Sequence, residues 1–288
     1  MSKTSHTHTD AAPLRDEEFV AQIRRSRRRD KTSLLAARGG VLVLLIVAWE
    51  VLAGKAGEPM VLVDKYFVSQ PSDLLRRVAD WIEQGILLPN IGSTLLSMSL
   101  GFAVGVLGGV VAGFAIGWNS RAAAVLTPFV SAIYSIPRLA LVPLFLLWFG
   151  LGLGSKVAFT AMLVGFLVFY STYAGVRDVD RDLIDTLRVL HASRLQRAVK
   201  IMLPSAMVWI VAGLRTSAPY ALVGAVTAEM MSSNSGLGYL LQRAAGQFDT
   251  AGMFGSIFVM MMMALVLNGG INLIERATLR WKVASNST

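Results

Sequence analysis

Cysteine is absent from this 288-residue chain, so neither a disulfide framework nor a thiolate metal site is available, and cysteine usage says nothing about redox compartment. Charge is also scarce. Only 16% of residues are charged against 54% hydrophobic, and mean hydropathy is +0.57, which is more apolar surface than one soluble core needs. The chain therefore reads as an integral membrane protein. Histidine is limited to His6, His8 and His191. The first two lie in a polar start, SKTSHTHTD, which reads as a disordered tail, with metal binding by the pair as the weaker alternative. A membrane enzyme would want clustered His, Asp, Glu or Cys, and the sequence offers no such density. Gly54-Lys55 fails as a phosphate-binding loop, because Ala56 follows and the upstream glycine is missing. No internal repeat is visible, which counts against a secondary transporter built of two related halves, the main alternative class.

What the sequence does have is long apolar runs. Stretches 34–53, 93–117, 122–149, 156–175, 205–227 and 251–274 approach the roughly 20 residues that cross a bilayer of about 30 Å. The expected fold is all-α, with about six transmembrane helices. Residues 1–33 form a basic tail, 54–92 an external segment, 176–204 a polar loop, and 276–288 a second tail. The run Arg24, Arg25, Arg27, Arg28, Arg29 and Lys31 resembles a secretory leader, but it starts late and Trp49-Glu50 stand where a cleavage site should be. Anchoring beside anionic lipid explains the run more simply than nucleic-acid binding does. With the N-terminus inside, the inner segments hold 19 of the 27 Lys and Arg and the outer ones 6, the latter being Lys55, Lys65, Arg76, Arg77, Lys156 and Arg243. Both termini and the 176–204 loop are thus expected in the cytoplasm.

Within this frame, Leu74, Leu75, Val78, Ala79 and Ile82 give the external segment one amphipathic helix, from Pro71 to Gln84, lying at the interface. Ser72 is positioned to cap it and Gly85 to end it. Gly101, Gly105, Gly109, Gly113 and Gly117 recur every four residues and predict close helix packing. Pro128, Pro137 and Pro143 predict a bent third span. Four ionisable residues fall within or at the ends of spans, where an unpaired charge costs at least about 2.5–3.5 kcal/mol at mid-bilayer. Glu50 and Glu229 read first as interfacial. Arg138, Arg215 and Glu229 are the candidates for lining a solute pathway, Arg138 most pointedly, because it follows Ile136-Pro137 inside the kinked span. The run Met260 to Met263 circles a helix and reads as packing or lipid-facing material.

Residues 176–204, VRDVDRDLIDTLRVLHASRLQRAVKIMLP, are a charged interruption in the apolar pattern. Val179, Leu183, Leu187 and Leu190 lie on one helical face, away from Asp180, Asp182, Asp185 and Arg188. Leu195, Ala198, Val199 and Met202 form a second stripe opposite Arg194, Gln196, Arg197 and Lys200, and Leu203-Pro204 is expected to stop the run.

This loop resembles the cytoplasmic coupling signature of permease subunits of ATP-binding cassette importers: Glu-Ala-Ala, three residues, Gly, nine residues, Ile, one residue, Leu-Pro. Ile201, Leu203 and Pro204 match at the right spacing; Asp185 replaces the Glu, Thr186 and Leu187 the two Ala, and His191 the Gly. Ala192-Ser193-Arg194 and Gln196 resemble the nitrate, sulfonate and taurine group. So do Gln70-Pro71-Ser72, Ile136-Pro137, Leu147-Trp148-Phe149-Gly150, Gly175-Val176-Arg177, Ala228-Glu229 and Ser235-Gly236-Leu237-Gly238-Tyr239. The family glycine sits between two short helices where positive φ is easy, a conformation that His tolerates at some cost.

The resemblance implies a type I importer permease fold over residues 93–275, multi-pass in a bacterial cytoplasmic membrane. It implies a non-enzymatic subunit, usually paired with an identical copy. ATP and Mg would be bound by two separate cytoplasmic ATPase subunits, and an external binding protein would deliver solute. Asp185, Thr186, Leu187, His191, Ala192, Arg194, Ile201, Leu203 and Pro204 are then the ATPase-coupling residues. The solute is expected to be a small anion such as nitrate, a sulfonate or taurine, with a vitamin-precursor-like solute as the alternative.

Overall fold

The computed structural model describes residues 33–34, 36–54, 62–180, 182, 186, 189, 191–232 and 234–278. Two compact units divide at Ser72. The basic tail up to residue 32 and positions 279–288 lie outside the described residues.

In the first unit, helix α1 (residues 36–52) ends in a two-residue parallel pairing of β1 (Ala53–Gly54) with β2 (Val63–Asp64). Gln70 Nε2 donates to the carbonyls of Glu50, at 3.1 Å, and Ala53, at 2.6 Å, which would otherwise be left open where the helix stops. Ser72 does not cap with its own side chain, as the sequence suggested. Its hydroxyl donates to Glu50 Oε1 at 2.7 Å and its amide to Oε2 at 3.1 Å, so Glu50 supplies the anion at this helix start. The Gln70-Pro71-Ser72 string is therefore a closure for the end of α1.

The second unit begins with the rest of α2 (Pro71–Glu83) and continues through α3 (Leu87–Trp118), α4 (Ser120–Tyr134), α5 (Val142–Phe149) and α6 (Leu153–Arg177). It is completed by α7, which runs from Arg194–Arg197 through a π-helical turn at Ala198–Met202 into Leu203–Ser232, then α8 (Leu237–Gly246) and α9 (Thr250–Thr278). Gly85, at φ +67°, ends α2 with paired bonds, Gly85 N to Ile82 O at 3.0 Å and Ile86 N to Trp81 O at 2.9 Å, the double closure that favours glycine at a helix end.

Among the described residues, four helices are long and apolar enough to cross a membrane by themselves: Leu87–Trp118, Leu153–Arg177, Leu195–Met231 and Thr250–Gly270. The third expected span, 122–149, is not one bent helix. It breaks into α4 and α5 around Ser135–Pro137, with a 3-10 turn at Arg138–Leu141 between them. Pro137 forces the residue before it out of the helical region, whereas Pro128 is absorbed inside α4 and Pro143 occupies the first turn of α5, where no amide is needed. Nor does Leu203-Pro204 stop a helix. The π-helical turn just before Pro204 widens the backbone where the proline ring would meet the preceding carbonyl, and the helix continues.

The glycine stripe packs α3 onto α6. A Cβ built on Gly105 would stand 2.7 Å from Ala161 O, and on Gly109 and Gly113 the same distance from Gly165 O and Phe169 O. Real side-chain atoms do not come that close, so glycine is required. Helix α7 approaches the other side of α6, with Gly213 against Ser171 and Gly175 against Trp209. Met98, Val164, Val168, Ala221 and Ala225 fill the space between the three helices. Within the methionine run, Met263 is buried in the core while Met261 and Met262 are exposed.

Gly109→Ala is expected to destabilise the purified protein by about 1–3 kcal/mol, because α6 must move to admit the methyl. Gly108→Ala, whose new carbon meets nothing within 4 Å, should leave the melting temperature in detergent unchanged. Equal melting temperatures for the two variants would remove the stripe from the packing argument.

Candidate functional site

Two polar sites interrupt the apolar bundle. The first is the loop between α6 and α7. Val179 is buried with Val176, Met202, Ala206 and Ile210, which ties the loop's start to the base of α7. Positions 182, 186 and 189 are helical; Thr186 is exposed and its hydroxyl donates to Asp182 O at 2.7 Å. Asp185 and Leu187 lie outside the described residues, as do Leu183 and Leu190. His191 adopts φ 58°, so the chain does turn through the left-handed region at the position where glycine is the family residue.

Just beyond it, Ser193 N donates to Gln196 Oε1 at 2.8 Å and Gln196 N donates to Ser193 Oγ at 3.2 Å. This reciprocal capping box starts α7 and gives a physical reason for Ser193 and Gln196. The Ser-x-x-Gln spacing was legible in the sequence and was not used. Ala192 is half-buried, Arg194 is the first helical residue, Ile201 and Leu203 pack against the buried cluster, and Pro204 is exposed.

The stripe expected from Leu195, Ala198, Val199 and Met202 divides. Ala198 and Met202 face inward, whereas Leu195 and Val199 are 66% and 53% exposed, and Val189 is 77% exposed. The inward pair is enough to seat the start of α7. Among the described residues, Val189, Leu195 and Val199 thus remain uncovered around the His191 turn.

The second site was missed by sequence reasoning. Asn90, Ser93, Thr94 and Ser97 share one face of α3, continuous with the glycine stripe. Opposite them stand Lys156, in the first turn of α6, and Glu229, near the end of α7. Lys156 is not the loop cation it was counted as: it is 3% exposed, and Glu229 is 1% exposed. Lys156 Nζ lies 3.7 Å from Glu229 Oε1 and donates to Ser235 O at 3.0 Å and Ser93 Oγ at 3.3 Å. Thr94 Oγ1 donates to Glu229 Oε2 at 2.8 Å, and the Gly238 amide, in the first turn of α8, donates to the same oxygen at 3.1 Å.

Around this pair, Asn90 Oδ1 accepts the Gly236 amide at 2.7 Å and Thr94 Oγ1 the Leu237 amide at 2.9 Å. A Cβ on Gly236 would collide with the Glu229 carboxyl group, and one on Gly238 would collide with Val226 O. The Ser235-Gly236-Leu237-Gly238 string is therefore glycine-rich because a carboxylate and a helix backbone occupy the space. Glu229 is thus buried, with its carboxylate held by Thr94, Ser97, Lys156 and the Gly238 amide. The useful signal was the recurrence of Asn90, Thr94 and Ser97 at spacings of four and three in an otherwise apolar helix.

Arg138 and Arg215 are brought to neither site. Arg138 is half-exposed in the 3-10 turn after Pro137, and Arg215 is exposed midway along α7.

Comparison with known proteins agrees with this architecture. Residues 105–280 match the family described as binding-protein-dependent transport system inner membrane component. The chain is 30% identical over 240 residues to the formylaminopyrimidine transport permease protein of Halalkalibacterium halodurans, covering 83% of this chain and 93% of that one. It is 27% identical over 247 residues to the taurine transport system permease protein of Escherichia coli, covering 84% and 88%. Among solved structures, an inward-facing MetNI methionine ABC transporter chain superposes with a TM-score of 0.54 at 17% identity, covering 68% of this chain and 96% of that one.

Removing one member of the buried pair strands the other. Lys156→Met and Glu229→Gln are each expected to destabilise the protein by about 3–5 kcal/mol, and the double variant by clearly less than their sum. Thermal unfolding of the purified single and double variants tests this; simple additivity would mean that the two groups do not interact.

Proposed function

Because the chain belongs to the family of inner membrane components of binding-protein-dependent transport systems, and is a non-enzymatic permease subunit of an ABC importer, we propose that its 176–204 loop is the element gripped by a cytoplasmic ATPase. The carrying observation is the uncovered trio Val189, Leu195 and Val199 around the His191 turn. Apolar side chains displayed on a charged, capped turn are what a partner's groove would bury. Two copies of this chain form the pathway, both termini lie in the cytoplasm, and an external binding protein delivers the solute for inward transport.

The solute in this reading is a small anion. Supporting it are two cations set in apolar surroundings, Arg138 at the break between α4 and α5 and Arg215 in a helix long and apolar enough to cross a membrane. The similarity to a formylaminopyrimidine permease favours a second reading, a neutral or cationic vitamin-precursor-like solute.

Leu195→Asp combined with Val199→Asp should leave the protein folded in the membrane while weakening co-purification with its ATPase about tenfold or more, the scale of an interface hot spot. Undiminished co-purification and uptake would count against docking at this turn. Arg138→Ala should reduce uptake of an anionic solute while sparing ATPase binding. Unchanged anion uptake in reconstituted vesicles, or a neutral ligand recovered with the binding protein, would favour the vitamin-precursor reading.

A further inference from the structure

Helix α2 has three faces. Its inward face carries Leu74, Val78 and Trp81: Leu74 and Trp81 are buried, and a Cβ on Gly255 of α9 would stand 3.3 Å from Val78 Cγ2 and 3.6 Å from Trp81 Cζ3. About 100° round the helix, Leu75, Ala79 and Ile82 recur at spacings of four and three. These stay uncovered, with Leu75 at 55% and Ile82 at 57% exposure. The remaining arc is charged, with Arg76, Asp80 and Glu83 all exposed. The five apolar residues that the sequence suggested as one face are thus split between two directions. One direction is satisfied by protein. The other needs apolar surroundings of its own.

Depth identifies those surroundings. The span-length apolar helix α9 starts at Thr250, so Gly255 lies five residues along it, about 7.5 Å from its start. Helices resting in a bilayer interface sit about 5–10 Å into the boundary between headgroups and acyl chains. Successive turns of α2 approach Gly255 through Leu74, Val78 and Trp81, and Trp81 shares a buried cluster with Val259 and Met263 farther along α9. Protein on one flank, lipid beneath and water above is the arrangement that suits a three-faced helix packed near the start of a membrane span.

The turn just before α9 carries a related feature. Phe248 is 73% exposed at φ 54°, in a helix-ending turn closed by Phe248 N to Ala245 O at 3.1 Å and Asp249 N to Ala244 O at 2.9 Å. Glycine would sit there without strain. The sequence holds an aromatic ring outward instead.

We propose that the Leu75–Ala79–Ile82 stripe rests in the headgroup–acyl boundary of the bilayer, making α2 an interfacial anchor on the flank of α9. The requirement is only that α9 spans the membrane, whatever the solute. Since the chain contains no cysteine, single substitutions give unique labelling sites. Full-length Leu75→Cys, Ile82→Cys, Asp80→Cys and Glu83→Cys, each carrying an environment-sensitive nitrobenzoxadiazole label, can be placed in phosphatidylcholine nanodiscs without any other protein. Labels at 75 and 82 should lose emission to lipid bearing a doxyl group near the headgroup and resist aqueous iodide; labels at 80 and 83 should do the reverse. Iodide quenching at 75 and 82 equal to that at 80 and 83 would put the stripe in water and overturn the proposal. Protection of 75 and 82 from both quenchers would mean that a second copy of the chain covers them, and would overturn it equally.

Discussion

The Glu229 carboxylate is the constraint to which one end of the bundle is built. A buried carboxylate is tolerated only with a complete set of partners, and here they come from three helices: Lys156 on α6, Thr94 and Ser97 on α3, and the Gly238 amide on α8. Each partner fixes a register. Sliding α3 by one residue would turn Thr94 away by about 100° and leave the carboxylate short of a donor. The same slide would take the glycine stripe off the carbonyls of Ala161, Gly165 and Phe169. The polar knot and the apolar contact below it thus specify a single alignment of α3 on α6, one through directional bonds and the other through sterics.

At the opposite end of α6 and α7 the chain follows a different logic. The 176–204 loop is held by local devices: the Ser193–Gln196 capping box, the Thr186 hydroxyl on Asp182 O, and the left-handed turn at His191. Among the described residues of the loop, Val176, Val179 and Met202 belong to the buried cluster, with Ile201 and Leu203 packed against it. Val189, Leu195 and Val199 stay uncovered beside these devices.

Much of this was legible in the sequence, and the failures have particular causes. Helix-period hydrophobicity located the long spans, and the four-residue glycine repeat revealed the α3 contact, because small residues at that spacing have few other uses in a membrane. The turn at His191 followed from the family resemblance, because His191 stands where that family has glycine. Lys156 was misplaced because charge counting treats every cation at a span's edge as exposed; only the fold shows that it faces Glu229 across two helices. Pro204 misled in the opposite way, since proline's local rule says stop, while a π-helical turn absorbs it at the level of the helix. In α2 the hydrophobic residues were correctly identified and wrongly assigned to one side, because periodicity gives angles around an axis and not which angles meet protein.

The break at Pro137 divides the helices of the bundle into two kinds. Helices α6 and α7 are joined at one end by the Lys156–Glu229 pair and along their length by Gly213 and Gly175. At about 1.5 Å per residue, the 25 residues of α6 extend roughly 37 Å, longer than the hydrocarbon core of a bilayer, about 30 Å. Helices α4 and α5 are not continuous in this way. The segment around Ser135–Pro137 and the 3-10 turn carrying Arg138 separate them, and Gly150, at φ 74°, makes a second articulation before α6. A continuous pair of helices thus stands in the same bundle as a broken one, and Arg138 lies at the break.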